Sequence, residues 1–377
     1  MVVTCLPSPP PERRLALVPV AIEKLVKLSH VVRLPAGYGG PLHLSDADLE
    51  RAGAEVVAAD AAASSADVVL VVSPPSPKDL EGLKRGATVV GFLDPFFSLP
   101  TVRALAEGGF RALCVELMPR TTYAQKMDAL SSQASLAGYA AVLAAAERID
   151  KVLPMMSTPA GTIAPARVFV LGVGVAGLQA IATAKRLGAR VDAYDTRPVV
   201  AEQVRSLGAR FVEFDLGGEQ GQTAQGYAQA LTDEQLARQR EQMAKVVAQS
   251  DIVITTAQVF GRAAPRLLSA AAIAGMKPGS VVVDLAASTG GNVEGTVAGE
   301  EVVTDEGVRL MGLHPLPAAV ARDASLMYAA NLVHLIAHAW TDDALKSTDD
   351  EIVDGVLLID EGAVRHDAVR ARLEADR

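Results

Sequence analysis

Three glycines between two apolar runs constrain this chain more than any other feature. Residues 168–171 predict a buried strand, and a second apolar run begins at Val191. Between them the glycines stand at GxGxxG spacing, at Gly172, Gly174 and Gly177. The first permits a tight turn, the second lets a pyrophosphate approach the backbone, and the third lets the next helix lie close to the strand. Val175 opens that helix, whose N-terminal N–H groups would face the phosphates.

An acidic residue, Asp195, ends the second apolar run. At that place a carboxylate accepts hydrogen bonds from the adenosine ribose hydroxyls and repels a 2′-phosphate, which favours NAD over NADP. Arg197 is near enough to accommodate such a phosphate, but we interpret it as a structural ion pair or a neighbour of the pyrophosphate. The alternative for the whole motif is a structural turn that binds nothing.

Composition excludes several classes of protein. The formal charge of −9 argues against binding to nucleic acid. Two cysteines make no disulfide framework, and no Cys or His spacing predicts a metal site. The sequence contains no run of about 18 consecutive apolar residues, so we predict no direct insertion into a membrane. We therefore expect a cytoplasmic protein.

Strand and helix patterns alternate twice along the chain, which is typical of parallel α/β folds. Strands are predicted first at 15–20, 30–34, 66–72, 87–93 and 111–117, and then at 167–171, 190–194, 209–213, 251–255 and 280–284. We expect two Rossmann-like, doubly wound parallel sheets joined by long helices at 123–149 and 321–340. The predicted domains are 1–128 with 319–377, and 129–318. A long insert between the strands at 209–213 and 251–255 is expected to be functional or mobile.

A second group of polar residues follows the strand at 111–117 and comprises Arg120, Gln125, Asp128 and Ser131. Such groups are able to hold a carboxamide ring and a ribose at the carboxyl end of a strand. Spacing alone favours another interpretation, in which Asp128 and Ser131 cap a helix and Arg120 forms a surface ion pair.

The two stretches together resemble a known family. MPRTTYAQKMDALSSQASLAGY, at residues 118–139, and MMSTPAGTIAPARVFVLGVGVAGLQAIATAKRLGARVDAYDTRP, at 155–198, are similar to the NAD(H)-binding domain of proton-translocating transhydrogenase. The similarity is dense over residues 110–295. Alanine dehydrogenase belongs to the same wider superfamily.

The resemblance assigns roles to individual residues. It implies that Arg120, Gln125 and Asp128 surround the nicotinamide ring, with Ser131 beside them. It also implies that a tyrosine on a closing loop, matched by Tyr227, covers the nucleotide. Thr256 and Ala257 fall in a further matching segment, DIVITTAQVFGRAAPRL, and are expected at the cofactor.

The resemblance further implies a homodimer that holds NADH for direct hydride transfer to NADP on a partner subunit. A membrane-embedded subunit would be the second partner, on the inner face of the cell membrane. Two alternatives remain open. In an alanine dehydrogenase-like enzyme Arg14 would bind the substrate, but Ser73 and Asp94 stand where the family has a Lys and a His. A regulatory NAD(H)-binding module without catalysis is compatible with every predicted contact.

Overall fold

The chain divides into two compact α/β units in the computed structural model, which describes residues 1–215 and 232–376. The first unit consists of Met1–Gln133 with Pro317–Arg377, and the second of Ala134–Leu316. Each unit contains one large, mostly parallel sheet. The predicted fold class is confirmed.

Residues 1–148 supply most of the first unit and the start of the second. The strands are β1 (Val2–Cys5), β2 (Val31–Pro35), β3 (Glu55–Val57), β4 (Val68–Val71), β5 (Thr88–Gly91) and β6 (Arg111–Cys114). The helices are α1 (Pro19–Lys27), α2 (Asp46–Arg51), α3 (Ala59–Ser65), α4 (Pro77–Leu80), α5 (Leu99–Glu107) and α6 (Ala129–Arg148).

Residues 149–316 supply the rest of the second unit. The strands described there are β7 (Met156–Thr158), β8 (Gly161–Ile163), β9 (Arg167–Leu171), β10 (Arg190–Tyr194), β11 (Arg210–Phe211), β12 (Ile252–Thr255), β13 (Val281–Asp284), β14 (Glu301–Val303) and β15 (Arg309–Met311). The helices described there are α7 (Val175–Arg186), α8 (Ala201–Ser206), α9 (Asp233–Ala248) and α10 (Ala270–Ala274).

The C-terminal region returns to the first unit. Its elements are α11 (Ala321–Ala339), β16 (Trp340–Thr341), β17 (Ala344–Leu345), α12 (Glu351–Val356), β18 (Leu357–Asp360), β19 (Ala363–Val364) and α13 (Asp367–Ala375).

Both large sheets have the strand order of dinucleotide-binding folds. The first runs β19-β18-β6-β5-β4-β1-β2-β3, in which β18 pairs antiparallel with both of its neighbours, β6 and β19. The second runs β11-β10-β9-β12-β13-β15-β14, with only β14 antiparallel. Numbered within each unit, the parallel strands follow the order 3-2-1-4-5-6. In each sheet the first three parallel strands are added in one direction, and the chain then returns to place the fourth on the other side of the first strand. The switch point lies between the first and fourth parallel strands.

The sheet of the second unit is buried on both faces. Val168 and Val170 of β9 pack into one apolar cluster, whereas Phe169 and Leu171 pack into another on the opposite side. This alternation follows from the two-residue period of a strand. Burial on both faces is the usual condition of parallel sheets, and it explains the unbroken apolar runs in the sequence.

Two predicted elements differ from the structure. Residues 15–20 are not a strand, because Pro19 begins α1 and the preceding N–H groups bond to side chains instead of a neighbouring strand. Leu15 N–H donates to Ser325 Oγ, and Leu17 N–H donates to the Tyr38 hydroxyl. The first strand of this sheet is instead β1, which lies between β4 and β2 and which the sequence analysis missed.

The long helix predicted at 123–149 begins later than expected. Residues Tyr123–Met127 form a 3₁₀ turn, and α6 begins at Ala129. By length and composition alone, α6 is able to cross a membrane, although no continuous apolar run in the sequence marked it as a span. Buried helices of soluble proteins pass the same test, so this helix is weak evidence for a span.

Candidate functional site

Three neighbouring strands of the second unit carry predicted cofactor residues at their carboxyl ends. Gly172 follows β9, Asp195 follows β10, and Thr256 follows β12. β10 and β12 flank β9, and all three are parallel. The switch point of this sheet lies here, where open α/β sheets bind their ligands.

The glycine turn has the geometry that its spacing predicts. Gly172 has a φ of +93°, which favours glycine, and its N–H donates to the Tyr194 carbonyl at 2.9 Å. A Cβ on Gly177 would lie 2.0 Å from the Gly172 carbonyl oxygen, so α7 packs this closely only because the residue is glycine. Around Gly174, in contrast, the place of a Cβ is open space, which a pyrophosphate needs to approach the backbone.

The N-terminus of α7 adds an anion-binding feature to this turn. Gly174 is the N-cap, and Val175 is the first helical residue and is 44% exposed. No side chain among the described residues caps this helix. Its first N–H groups and its positive dipole end are therefore available to a phosphate.

Asp195 is nearly buried and accepts four hydrogen bonds. Its Oδ2 accepts from the N–H of Val173, in the glycine turn, at 2.7 Å. Arg197 supplies the other three, from its N–H at 2.8 Å and from Nε and Nη2 at 3.0 Å each. Burial alone would raise the pKa of Asp195, but the Arg197 guanidinium and the two backbone N–H groups bring it below its ordinary value. The carboxylate is therefore charged and already paired.

Hydrogen bonds hold the segment after β12 in place, and two of the residues that make them, Asn292 and Asp284, were not predicted from the sequence. Thr256 Oγ1 donates to the Gly172 carbonyl at 3.0 Å. Asn292, which is fully buried, accepts from the Ala257 N–H at 3.0 Å and donates to the Ala257 carbonyl at 2.8 Å. Asp284 in turn accepts from the Asn292 N–H at 2.8 Å. The buried amide therefore fixes the backbone of a predicted cofactor residue beside the glycine turn.

The first unit carries the second predicted group in the segment between β6 and α6. Asp128 caps the start of α6, because its carboxylate accepts from the Ser131 N–H at 2.9 Å and from the Ser131 hydroxyl at 2.6 Å. Arg120 and Gln125 are exposed, and their side chains make no hydrogen bond or ion pair with any other described residue. The capping role that spacing favoured is present, whereas the ion pair expected for Arg120 is absent from the described residues.

A helix from the far end of the sequence holds this segment. Asn331 of α11 donates to the Lys126 carbonyl at 2.8 Å and accepts from the Ser132 hydroxyl at 2.7 Å. One amide therefore ties the backbone immediately after Gln125 to the first turn of α6. Tyr227, the remaining predicted contact, lies outside the described residues.

Comparison with known proteins finds one family whose two domain models together cover most of the chain. Residues 8–137 match the N-terminal domain of the alanine dehydrogenase/PNT family, and residues 141–367 match its C-terminal domain. The chain belongs to this family. In the part of the chain that the structure describes, no group of three or more His, Cys, Asp or Glu side chains is arranged to hold a metal ion.

Within the family, transhydrogenases are more similar to the chain than alanine dehydrogenases are. A protein of Rickettsia prowazekii (strain Madrid E), named as the first part of NAD(P) transhydrogenase subunit alpha, is 40% identical over 97% of this chain and 96% of its own length. A crystal structure of transhydrogenase from Sinorhizobium meliloti has a TM-score of 0.85 at 42% identity, covering 98% of this chain and 100% of that chain. An L-alanine dehydrogenase structure has a TM-score of 0.82 at 23% identity, over 100% and 99%, which shows the shared fold alone.

The side chains of Arg14 and Ser73, which the resemblance to alanine dehydrogenase singled out, are each hydrogen-bonded to other side chains of the first unit. Arg14 is buried and donates to Glu12 through Nε and Nη2, at 2.9 and 2.7 Å. Its Nη1 donates to Gln133 at 2.8 Å. Ser73 donates to Ser8 at 2.9 Å. The guanidinium is therefore used on three of its nitrogens.

Proposed function

We propose that this chain is the NAD(H)-binding subunit of a proton-translocating transhydrogenase, which holds NADH for hydride transfer to NADP on a partner subunit. The observation that carries the proposal is the glycine turn, with a carboxylate on the next strand, in a chain that matches transhydrogenase subunits over its whole length. NADH supplies the hydride. The residues of this chain bind it, orient it and leave one face of its ring open.

Direct transfer between two nicotinamide rings needs no acid or base on this subunit, because no proton has to be placed. The work of the protein is to hold the ring in a near-attack position. Arg120 and Gln125 are suited to this, since their donors are not used elsewhere among the described residues. Asp128 accepts one bond on each oxygen from Ser131 and so keeps a lone pair on each for a carboxamide.

The amino-acid dehydrogenase alternative is not supported. Oxidative deamination needs a free cation for the substrate carboxylate and a group that moves a proton. Arg14 is paired with Glu12, and the position of the expected Lys is occupied by Ser73. Asp94 stands in place of the His, so the imidazole that would move the proton is absent from that position. The Arg14 guanidinium would have to break its ion pair with Glu12 before it bound a substrate carboxylate.

The Gly174→Ala variant tests the nucleotide site. Because the Cβ would enter open space, the only expected cost to thermal stability is the small one of replacing a glycine N-cap by alanine. The same methyl group would stand where the pyrophosphate approaches, so we expect NADH affinity to fall at least about ten-fold in a fluorescence titration. Unchanged NADH affinity in a stable Gly174→Ala variant would refute the assignment of the site.

Reconstitution tests the reaction. With a membrane-embedded subunit and an NADP-binding subunit, the chain should support transfer from NADH to NADP. By itself it should bind NADH but reduce neither pyruvate nor NADP. Arg120→Ala and Gln125→Asn should reduce transfer more than NADH affinity. Transfer that stays at background with functional partners would favour the alternative of a regulatory binding module.

A homodimer is the proposed oligomeric state, and the hairpin of β7 and β8 supports it. These strands pair only with each other among the described residues. The hairpin region exposes Met155, Met156 and Ile163, by 66%, 45% and 50%. A lone two-stranded hairpin is marginal in water, so a second copy is expected to cover it. Met156→Asp with Ile163→Asp should yield monomers in analytical ultracentrifugation, and an unaltered dimer would contradict this interface.

The predicted location follows from the same proposal. We expect the chain in the cytoplasm, bound to the inner face of the cell membrane through its partner subunits. Co-sedimentation with membranes that contain the membrane-embedded subunit, but not with membranes that lack it, is the expected result.

A further inference from the structure

We propose that Gly138 of α6 is a positioning residue for the phosphate-binding turn, because its contact with α7 sets the place of the backbone N–H groups at the start of that helix. The inference rests on the proposed function, since it concerns the phosphates of the same bound nucleotide. Gly138 precedes the GxGxxG motif and belongs to a different helix.

Two close backbone contacts hold the first turn of α7. One is with the end of β9, where a Cβ on Gly177 would lie 2.0 Å from the Gly172 carbonyl oxygen. The other is with α6, where a Cβ on Gly138 would lie 2.0 Å from the carbonyl oxygen of Ala176 and 2.8 Å from its carbonyl carbon. All three distances are shorter than the 3.0 Å that a Cβ contact requires. The two contacts therefore exist only because the residues concerned are glycines.

The Ala176 carbonyl belongs to the same rigid group as a phosphate donor. A peptide group is planar, so the Ala176 carbonyl and the Gly177 N–H move together. The first hydrogen bond inside α7 runs from the Leu178 N–H to the Gly174 carbonyl at 2.9 Å, so the N–H groups that precede Leu178 have no acceptor within the helix. Gly138 therefore contacts one end of a peptide group whose other end, the N–H, points toward the phosphates.

The body of α6 is held firmly beyond this contact. Ala141 and Ala145, one and two turns further along α6, are fully buried and share an apolar cluster with Ala180 of α7. At the C-terminal end of α6, Arg148 Nε donates to Glu301 at 2.6 Å. A displacement of α6 away from α7 would disturb all of these contacts.

The start of α7 is held by less. Val175 is 44% exposed, and no side chain among the described residues caps this helix. A methyl group on Gly138 would fit only if the Ala176 carbonyl withdrew by about 1 Å, and the Gly177 N–H would be displaced with it. Hydrogen bonds to a phosphate weaken steeply with such a displacement. The residue at 138 therefore governs how well the turn binds a diphosphate, although it does not touch the ligand.

Gly138→Ala tests this role with two ligands that differ only in their phosphates. ADP carries a diphosphate and adenosine carries none, and both reach the ribose position that is expected beside Asp195. Alanine is the better residue in a helix interior, so the substitution does not weaken α6 itself. Measured by equilibrium dialysis, the affinity for ADP should fall at least about ten-fold, the size of one hydrogen bond to a charged group. The affinity for adenosine should stay unchanged.

The matched control disturbs the opposite end of the same helix. Gly188, which follows α7, has a φ of +88°, and a Cβ there would lie 2.6 Å from the Pro154 Cβ. Gly188→Ala should lower the midpoint of thermal unfolding, because the backbone conformation and the space both oppose a side chain. It should leave the ratio of ADP affinity to adenosine affinity unchanged, since Gly188 precedes β10 and lies away from the carboxyl ends of the strands.

A measurement on the unaltered chain decides the matter if Gly138→Ala does not fold. Hydrogen exchange is compared in the presence of saturating ADP and of saturating adenosine. ADP should slow exchange in peptides that cover residues 136–142 more than in those that cover α10 of the same unit, and adenosine should not. Slowing by ADP that is confined to the GxGxxG turn would refute the role of Gly138.

The outcomes separate this role from the proposed function. If the wild-type chain binds neither NADH nor ADP, the proposed function fails, and the role of Gly138 fails with it. If the wild-type chain binds both, but Gly138→Ala lowers the affinities for ADP and adenosine equally or not at all, the role of Gly138 is refuted and the proposed function stands. An equal change of the ratio in Gly188→Ala also refutes that role.

Discussion

The Asn292→Ala variant is expected to destabilise the second unit and to release the Ala257 backbone beside the glycine turn. The Asn292 side chain is fully buried and makes three hydrogen bonds of 2.8–3.0 Å, two to the backbone of Ala257 and one to the Pro265 carbonyl. At about 1 kcal/mol each, their loss costs about 3 kcal/mol, before any cavity is counted. The Ala257 N–H and carbonyl, which the amide holds, would then lose their position beside the glycine turn.

Hydrogen exchange of backbone amides measures this loss of stability separately for each of the two units. A cost of about 3 kcal/mol raises the exchange rate of globally protected amides about a hundred-fold. We expect this increase in peptides that cover β12, but not in those that cover β4, which belongs to the first unit. NADH affinity should also fall, because Thr256 and Ala257 are no longer held.

An exposed amide provides the control. Gln258 donates through Nε2 to the Leu285 carbonyl at 3.0 Å, and its side chain is exposed. Gln258→Ala should change the free energy of unfolding by no more than about 0.5 kcal/mol. If Asn292→Ala and Gln258→Ala had equal effects on exchange and on NADH binding, the clamp would not position the site.

Three further changes have expected outcomes. Gly177→Ala places a methyl group 2.0 Å from the Gly172 carbonyl oxygen, so the midpoint of thermal unfolding should fall further than that of Gly174→Ala. Tyr328→Phe removes the hydroxyl that donates to the Val71 carbonyl at 2.6 Å and accepts from the Phe92 N–H at 3.2 Å, and should cost about 1–3 kcal/mol in urea unfolding. Burial raises the pKa of the Glu116 carboxyl from 4.5 to about 7. The stabilisation from its protonated form is therefore complete below about pH 4.5. It is lost as the pH rises through 7, and the loss amounts to about 3 kcal/mol. Glu116→Gln should remove that component of the pH dependence, and an identical slope of stability between pH 5 and 8 in both proteins would contradict the assignment.

The nucleotide half of the candidate site could be predicted because its signals are local. The turn of Gly172, the cap at Gly174 and the acid after β10 depend on residues that lie close together in sequence. Some backbone conformations are favourable only for glycine, and some helix packing leaves no room for a Cβ. Both requirements place glycines at fixed intervals in the sequence. The apolar strands of the second unit were visible for the same reason.

Other regions of the site depend on contacts between distant residues. The clamp joins Asn292 to Ala257, and Asn331 reaches Lys126 from the far end of the sequence. A lone asparagine in an apolar helix or after a glycine pair gives no local sign of its partner. β1 was missed although β4, which also has four residues, was predicted, because the apolar run of β4 is unbroken whereas Thr4 interrupts that of β1.

The sequence by itself determined two α/β folds and a turn able to receive a pyrophosphate, because periodicity and glycine spacing act over a few residues. Only the tertiary structure decided the state of the charged groups. It pairs Arg197 with Asp195, which is one of the two roles that the sequence left open for this arginine. It also pairs Arg14 with Glu12, and it leaves Arg120 without a partner among the described residues. The physical reason is that a charge takes its partner from whatever the fold brings within about 3 Å, and neither the spacing nor the identity of a residue fixes that distance.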